Sequence, residues 1–583
     1  METKSPLSQV ERQKLAQLLF PDSDTYPSMT DLEQRYPERS LTPGAMITRV
    51  APSPTGFAHI GFVFMSIVNA RLAKQTGGVF ILRVEDTDAK REVAGAFDTI
   101  VRTLGAFGLS PDEGFMKNPD GGFEERGAYG PYLQSSRPSI YRAVICHLIR
   151  TGFAYPCFST EAELQAASEL QVKQKMRPGY YGRWATWRDA NLEDIEKALA
   201  EGKPYVVRFR SFGDGRSRVT WNDGVKGSMS LPSNDLDIVI LKSDGQSLYH
   251  LAHAVDDHFM RVTHVIRGDE WLSSVPTHLQ IFEAFGWQAP HYSHLSTIQK
   301  LETVVETDEE TGQAVERQSK RKLSKRKDPE ANVEFYLEAG FPIGAIVEYL
   351  LNIANPDFED WRKANPSALD SEFPLKMEKL SPAGALADTV KVASISKDFI
   401  SRLSLEEMFS QGLTWAKQYD PSLAELMERY PDFTKRCLNI EREGAKPSKR
   451  IGSWRDLRPQ TGWLFEEVFA EHYDSSFPDF PFPEHITLED RQAILEGFLG
   501  DYSAGDGRDI WFEKIRGLAT RLGFAAEMKA FKANPQAFKG NIGDVTMVLR
   551  VAIAGSRQSP DLYEVMQILG VERVEKRLRR ALR

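Results

Sequence analysis

A chain of 583 residues with 41% hydrophobic and 27% charged side chains has the composition of a folded globular protein, and its length allows about three to five domains. It contains no apolar run of ~18 residues and no apolar leader near Met1, so neither a membrane helix nor a secretory signal is expected. Three widely spaced cysteines (Cys146, Cys157, Cys437) make neither a disulfide framework nor a metal quartet, which points to a reducing, cytoplasmic compartment, and a net charge of −9 excludes a uniformly basic coat while allowing local basic surfaces.

Residues 1–45 read as a polar, proline-punctuated extension with one helix over Pro6–Phe20, expected to wrap the outside. Ile47–Ala51 is a short apolar strand, broken by Pro52, Pro54 and Gly56. Phe64, Ile67, Val68 and Leu72 recur at three- and four-residue steps, marking one buried helix face that Gly77-Gly78 ends. Val79–Val84 is a near-continuous apolar run, as a parallel strand covered on both faces requires. Such a unit is a right-handed crossover with its ligands at the carboxyl ends of the strands. Those ends carry Arg49 to His59, then Glu85, Asp86 and Asp88. His59 and Gly61 fall at the helix start, where unpaired N–H groups and partial positive charge favour phosphate. The histidine can donate to phosphate oxygens, and the glycine lets a planar base approach the backbone. A loop histidine beside a packing glycine explains so short a motif at least as well.

A second amphipathic helix covers Ala94–Phe107, and the Gly-, Pro- and acid-rich tract Ser110–Ser136 reads as a long surface connection. Helices follow over Ser139–Gly152 and from Glu161 to about Lys175. Arg177, Tyr180, Tyr181, Arg183, Trp184, Trp187 and Arg188 interleave basic and aromatic groups, which suits RNA phosphates and bases as well as a surface loop with aromatic packing. Tyr205–Phe209, Asp237–Leu241 and Val262–Ile266 are strand-like, with a hairpin turn at Ser243–Gln246. A module is therefore inserted into the first unit, and the sheet resumes near Ser247. Tyr249–His258 presents polar groups to a pocket, and Arg267–Trp271 ends another strand at a ligand-binding edge. Pro276–Gly286 is a helix and Tyr292–Ile298 a strand. Residues 301–328 run acidic and then basic, with Lys320, Arg321, Lys322, Lys325, Arg326 and Lys327 around Leu323-Ser324; a charge run of this kind is usually solvated surface or an interaction tail.

His59-Ile-Gly61 followed far downstream by Lys322-Leu-Ser-Lys325-Arg326 resembles the two signatures of class I aminoacyl-tRNA synthetases. The flanks narrow the resemblance: Arg49–Gly56, Arg83–Asp88, Asp256-Asp257, Thr263–Gly268 and Leu549–Ser559 are similar to bacterial-type glutamyl-tRNA synthetases. Membership would imply an α/β multidomain chain: a Rossmann-type parallel sheet in two halves (46–124 and 249–318) around an inserted α+β acceptor-stem module (125–248). Residues 319–415 would carry the lysine loop and a stem-contact domain, and 416–583 an all-α anticodon-binding region. The implied reaction joins L-glutamate to ATP, with Mg²⁺ riding on the nucleotide, and passes the acyl group to tRNA(Glu). By the same resemblance, His59, Gly61, Lys322, Ser324 and Lys325 serve catalysis. Arg49, Ser53, Glu85, Tyr249 and Arg267 would hold glutamate, Arg49 and Arg267 gripping its carboxylates as paired donors that lysine cannot supply, and Glu85 its amino group. His59, Gly61, Glu270, Trp271 and Lys325 would hold ATP.

Three places depart from the family pattern. Phe62 replaces a final histidine of the first signature, and His253 stands where relatives carry an amide. Of a zinc-binding cysteine cluster found in some relatives only Cys157 remains, with Ser159 and Trp184 at other positions, so no metal is expected. Helices are read over Pro329–Ala339, Pro342–Ile353, Leu403–Gln418, Pro421–Arg429, Gly462–His472, Leu488–Leu499, Trp511–Leu522 and Val571–Arg583. The last is basic on one side, so Arg577 and Arg580, with Arg177 and Arg183, are the expected tRNA contacts of a chain taken to be a monomer. A related nucleotidyltransferase, a silent tRNA-binding paralogue and an enzyme glutamylating a tRNA base are the competing readings. The long helical half argues against the first and third, and the intact Arg49, His59, Glu85, Arg267, Lys322 and Lys325 against the second.

Overall fold

A computed structural model describes residues 5–54, 56–87, 93, 95–307, 314–324, 326–443, 447–474 and 480–582. They form two compact units, Met1–Phe335 with Val347–Ala387 and Tyr336–Ile346 with Asp388–Arg583.

The first unit opens with α1 (Gln9–Leu19) and α2 (Met29–Arg35), each started by a reciprocal cap, Ser8 with Glu11 and Ser28 with Asp31. They do not wrap the outside as expected. Leu15, Ala16, Leu19, Leu32 and Tyr36 are buried in the same core as the central strands while Val10 and Leu18 stay exposed, so each short helix buries a narrow face that its many polar residues disguise. Arg39 chelates Glu113 through two bonds of 2.7 and 2.9 Å, and Glu33 accepts from Arg261 at 2.6 Å, which pins the segment to the sheet.

β1 (Ile47–Val50), α3 (Ile60–Gln75) and β2 (Val79–Leu82) form the expected parallel crossover, in register from Ile47↔Val79 to Val50↔Leu82. Gly78 allows the close approach at its foot, since a Cβ there would stand 1.9 Å from the Met46 carbonyl oxygen. After α4 (Ala96–Ala106), residues read as a surface connection fold instead into β3 (Glu113–Lys117) and β4 (Phe123–Arg126). β3 joins β2 in parallel and β4 returns antiparallel. Gly114, which looked like a loop residue, has φ +130° and lies where a Cβ would be 2.2 Å from the Leu82 oxygen, so it is a close-packing glycine inside a strand. Ala94 lies outside the described residues.

α5 (Pro138–Thr151) ends on Gly152 in the left-handed conformation. The inserted module follows as β5 (Ala154–Cys157), α6 (Glu161–Lys173), α7 (Leu192–Ala200), β6 (Val206–Phe209), β7 (Arg218–Asp223), β8 (Gly227–Pro232) and β9 (Val239–Leu241). β5, β6 and β9 make one antiparallel sheet, and β7–β8 is a separate hairpin. α8 (Tyr249–Phe259), β10 (His264–Gly268), α9 (Val275–Phe285) and β11 (His291–Leu295) return the chain to the nucleotide-binding architecture. β10 and β11 pair in parallel, and Thr263 N–H donates to the Ile47 carbonyl at 3.0 Å, setting β10 beside β1.

The described residues of the charged tract have regular structure. It is a long hairpin, β12 (Gln299–Thr307) with β13 (Ala314–Lys322), in register from Gln299↔Lys322 to Thr307↔Ala314. Lys300 and Arg321 lie directly opposite, and Arg321 Nε donates diagonally across the strands to Glu302 at 2.8 Å.

The second unit is helical, as expected. Helices Leu405–Tyr419, Pro421–Arg429, Leu488–Asp501 and Arg508–Arg521 match their predicted positions, whereas the predicted Gly462–His472 helix splits into a 3-10 turn and Glu466–Asp474. The last helix, Leu562–Ala581, is bent at Gly570, whose φ of +75° is non-helical. Arg577, expected on RNA, is buried: its guanidinium donates to the carbonyls of Ile553, Trp463 and Leu464 and pairs with Glu466 at 3.3 Å. That residue closes the helical core, and Arg580, 14% exposed at its side chain, lies 3.9 Å from the same carboxylate. A basic helix face read from sequence alone does not reveal that one half-buried acid collects its cations. Among the described residues no helix is long and apolar enough to cross a membrane.

Candidate active site

A cavity of about 490 Å³ opens at the carboxyl ends of β1, β2 and β10. Arg49, Ser53, His59, Gly61, Glu85, Tyr249, Arg267, Glu270, Trp271 and Lys322 all line it, although they come from segments far apart in the chain. Ser324 stands outside that lining, and Lys325 lies outside the described residues.

His59 is the N-cap of α3, and its Nδ1 accepts from Gly61 N–H at 2.9 Å. The proton of the neutral ring then sits on Nε2, which makes the far edge of the ring a donor. Gly61 is required by this geometry, because a Cβ there would lie 2.9 Å from His59 Nδ1. The segment after the charged hairpin pairs with this same turn: Val333 N–H donates to the Ala58 carbonyl at 3.1 Å, and His59 and Asn332 form a bridge. The two signature segments are thereby joined. Lys322 reaches Glu270 at 2.6 Å, and Asp328 orders the turn by accepting from Arg321 (2.6 and 2.9 Å) and from Ser324 N–H (2.8 Å).

Behind the cavity lies a buried charge network. Asp257 accepts from Arg49 Nε at 3.1 Å and Arg83 Nη1 at 2.6 Å. Asp256 pairs with Arg137 at 2.6 Å and accepts from Gln134 (2.8 Å) and Tyr141 (2.9 Å). The resemblance contained Asp256-Asp257 and Arg83 but gave them no role, and Arg137 was not singled out; an adjacent acid pair inside an otherwise apolar helical stretch (Leu251, Ala252, Ala254, Val255) is the signal that was available. His253 is buried beside Arg49, 3.4 Å from Nη2, and burial with three nearby arginines holds its pKa well down, so it is a neutral prop for the arginine.

Arg267 differs from Arg49. Its Nε donates to His294 Nε2 at 3.1 Å, Nη1 to the Tyr249 hydroxyl at 3.2 Å and Nη2 to the Trp271 carbonyl at 3.3 Å. Among the described residues no carboxylate lies within ion-pair distance of this buried guanidinium. A buried charge without a counter-ion is costly unless a ligand supplies one. Tyr249 and Trp271 pack beside it with tilted rings, 4.4 Å between centroids, and wall the cavity.

Burial raises the Glu85 carboxyl to about 7, against the opposing pull of Arg83 and Arg49. A ligand ammonium needs it ionised. Affinity for an amino acid held there should therefore be full above about pH 7 and fall below it, with KM rising up to about tenfold per pH unit, and Glu85→Gln should abolish that slope. A KM for the amino acid that stays flat between pH 6 and 8 would contradict this role.

Elsewhere, Cys157 is buried with its Sγ 3.3 Å from the Tyr180 hydroxyl, so part of the basic–aromatic segment packs inward. Arg177 and Arg183 remain exposed, paired with Asp235 and Gln174. Among the described residues no group of three or more His, Cys, Asp or Glu side chains is placed to hold a metal ion.

A family model described as tRNA synthetases class I (E and Q), catalytic domain, matches residues 45–359, and one described as anticodon binding domain matches 524–582. The chain is 52% identical over 560 residues to a glutamate–tRNA ligase of Sorangium cellulosum, covering 95% of this chain and 97% of that protein. It is 43% identical over 570 residues to one of Clostridium perfringens, covering 98% and 99%. A crystal structure of a glutamate tRNA ligase from Elizabethkingia meningosepticum in complex with its amino acid matches with a TM-score of 0.69 at 26% identity, covering 92% of this chain and 99% of that one. The chain belongs to the glutamate–tRNA ligase family of class I aminoacyl-tRNA synthetases.

Proposed function

We propose that this protein activates L-glutamate with ATP as glutamyl-adenylate and transfers the glutamyl group to tRNA(Glu), releasing AMP and pyrophosphate. The observation that carries the reading is Arg267: a buried cation without a protein carboxylate among the described residues, in one cavity with Arg49 and the histidine at the start of α3. An acidic amino acid supplies the missing anions. The substrate carboxylate itself attacks the α-phosphate, so the site needs no protein nucleophile, only positioning and charge stabilisation. His59 donates through Nε2 to the phosphates, helped by the positive end of α3, and Mg²⁺ arrives complexed with ATP. Lys322, drawn from Glu270, and Lys325 neutralise the charge that develops as pyrophosphate leaves. Lys325→Ala is then expected to lower kcat about a hundredfold while KM for glutamate and ATP stay within about twofold, the pattern of a contact made in the transition state. A loss of ATP affinity with normal kcat, seen in steady-state charging assays, would argue otherwise.

The inserted module is assigned the acceptor end of the tRNA, with Arg177 and Arg183 on its exposed side. The helical unit is assigned the anticodon, supported by the family model over 524–582. The proposed assembly is a monomer, and the three free, buried cysteines suit the cytoplasm. Charging assays with purified tRNA(Glu) and tRNA(Gln) and labelled glutamate, glutamine and aspartate test the reading. Glutamate on tRNA(Glu) is the expected product; glutamine or aspartate preferred over glutamate would overturn it.

A further inference from the structure

The hairpin β7–β8 belongs to the inserted module, yet its tip docks against β11 behind the amino-acid pocket. Gly224 N–H donates to the Tyr292 carbonyl at 2.9 Å, and a Cβ on Gly224 would meet Ser293 Oγ at 2.3 Å, so the approach is as close as glycine permits. Lys226 pins the same tip through Ser296 Oγ (2.5 Å), the Pro382 carbonyl (2.7 Å) and Asp269 (3.1 Å). At the tip, Asp223 is buried and fully bonded. Its Oδ1 accepts from the backbone N–H groups of Val225 (3.1 Å), Lys226 (3.0 Å) and His294 (3.0 Å), and its Oδ2 lies 2.5 Å from His294 Nδ1. His294 Nε2 in turn faces Arg267 Nε at 3.1 Å.

The donor pattern is forced. An arginine Nε can only donate, so His294 Nε2 accepts, and the imidazole proton sits on Nδ1, facing Asp223. We infer that Asp223 is a positioning residue for Arg267, acting through His294: a carboxylate delivered by the inserted module fixes the imidazole tautomer that anchors the guanidinium and leaves its outer edge for a substrate carboxylate. This inference rests on the proposed function, since it takes Arg267 as the glutamate-binding arginine. The spacer matters. A carboxylate in direct contact would neutralise Arg267 and compete with glutamate for its donors. One imidazole away, the anion steadies the buried cation without occupying its face. Burial raises the Asp223 carboxyl, but the bonds from His294 and the backbone outweigh it and hold it at about 2, so the anion is permanent.

Asp223→Asn tests this with little change of shape. The amide oxygen can still accept the backbone N–H bonds of the turn, while its –NH₂ faces His294 Nδ1 and drives the ring proton onto Nε2, against the Arg267 N–H. In tRNA-charging assays KM for glutamate should rise about tenfold or more, with KM for ATP within about twofold and the melting temperature near that of the wild type. His294→Gln, which keeps a donor and an acceptor on one planar group, should stay within about threefold of wild-type KM for glutamate, whereas His294→Phe should match Asp223→Asn. Asp223→Asn with an unchanged KM for glutamate, parallel changes in both KM values, or a glutamine variant as impaired as the phenylalanine variant would each overturn the inference. Wild-type protein that charges no glutamate defeats the proposed function instead, and that result is read before any variant is made.

Discussion

Replacing Arg267 by alanine should raise KM for glutamate by about a hundredfold or more while moving KM for ATP by no more than about threefold. The magnitude follows from the surroundings. Truncating one partner of a buried, hydrogen-bonded charge pair costs about 2–5 kcal/mol, and each 1.4 kcal/mol is about tenfold in affinity. In the variant the groups that surrounded the guanidinium, Tyr249, Trp271 and His278, put no formal positive charge in its place, since burial and the neighbouring His253 keep His278 neutral. Lysine in place of Arg267 should recover only part of the loss, because its single ammonium cannot bond His294, Tyr249 and the ligand together. Steady-state charging kinetics with each substrate varied in turn decide it. Equal changes in both KM values would remove Arg267 from the amino-acid site.

The second large effect concerns the fold beneath the site. Asp257→Asn should destabilise the first unit by about 3–5 kcal/mol, because it leaves Arg49 and Arg83 buried against a neutral amide. Arg83 keeps Asp256 and Glu85 beside it and Arg137 keeps Asp256, whereas Arg49 loses its ion-pair partner. The pH dependence has a definite sign. Arg49 and Arg83 outweigh the burial that raises the Asp257 carboxyl and hold it below the ordinary carboxylate range. Its stabilisation is therefore present above the unfolded value of about 3.9 and is lost as pH falls through the lower folded value. Chemical denaturation of wild type and variant should differ by a constant amount from about pH 5 upward and converge in stronger acid. A difference that grows with acidity would contradict the pairing.

The parts of the fold legible in the sequence are those with a clean period. The β1–α3–β2 crossover showed itself through the spacing of Phe64, Ile67, Val68 and Leu72 and the glycines at 77 and 78, and the exposed–buried alternation of the C-terminal helices did the same. The hairpin of β3 and β4 was hidden because Gly114 serves close packing inside a strand, which a sequence presents in the same letter as a turn. The charged hairpin was hidden because its stabilising pairs lie across strands, between Arg321 and Glu302 for example, and not along one. The N-terminal segment was misread because short helices with few apolar residues bury only some of them, Leu15, Leu19 and Leu32 among them, and show no clean period.

The site divides the same way. Residues that line the cavity and are proposed to meet the ligand, such as Arg49, His59, Glu85 and Arg267, stand at strand and helix ends where the topology predicts function. Residues that hold those in place do not announce themselves. Asp257, His294 and Asp223 are connected to the arginines only in three dimensions, across 27 to 208 positions of chain for the contacts of Arg267 with His294 and of Arg49 with Asp257. Arg577 is the converse: its neighbours in sequence are basic and its neighbours in space are carbonyls and one carboxylate.

A crystal structure of this protein with a non-hydrolysable glutamyl-adenylate analogue tests the central claim most directly. The ligand's free carboxylate should be bonded to the guanidinium of Arg49 or Arg267, its amino group should face Glu85, and its phosphate mimic should lie at His59 and the start of α3. A carboxylate directed to solvent, or an adenylate seated away from His59, would contradict the account.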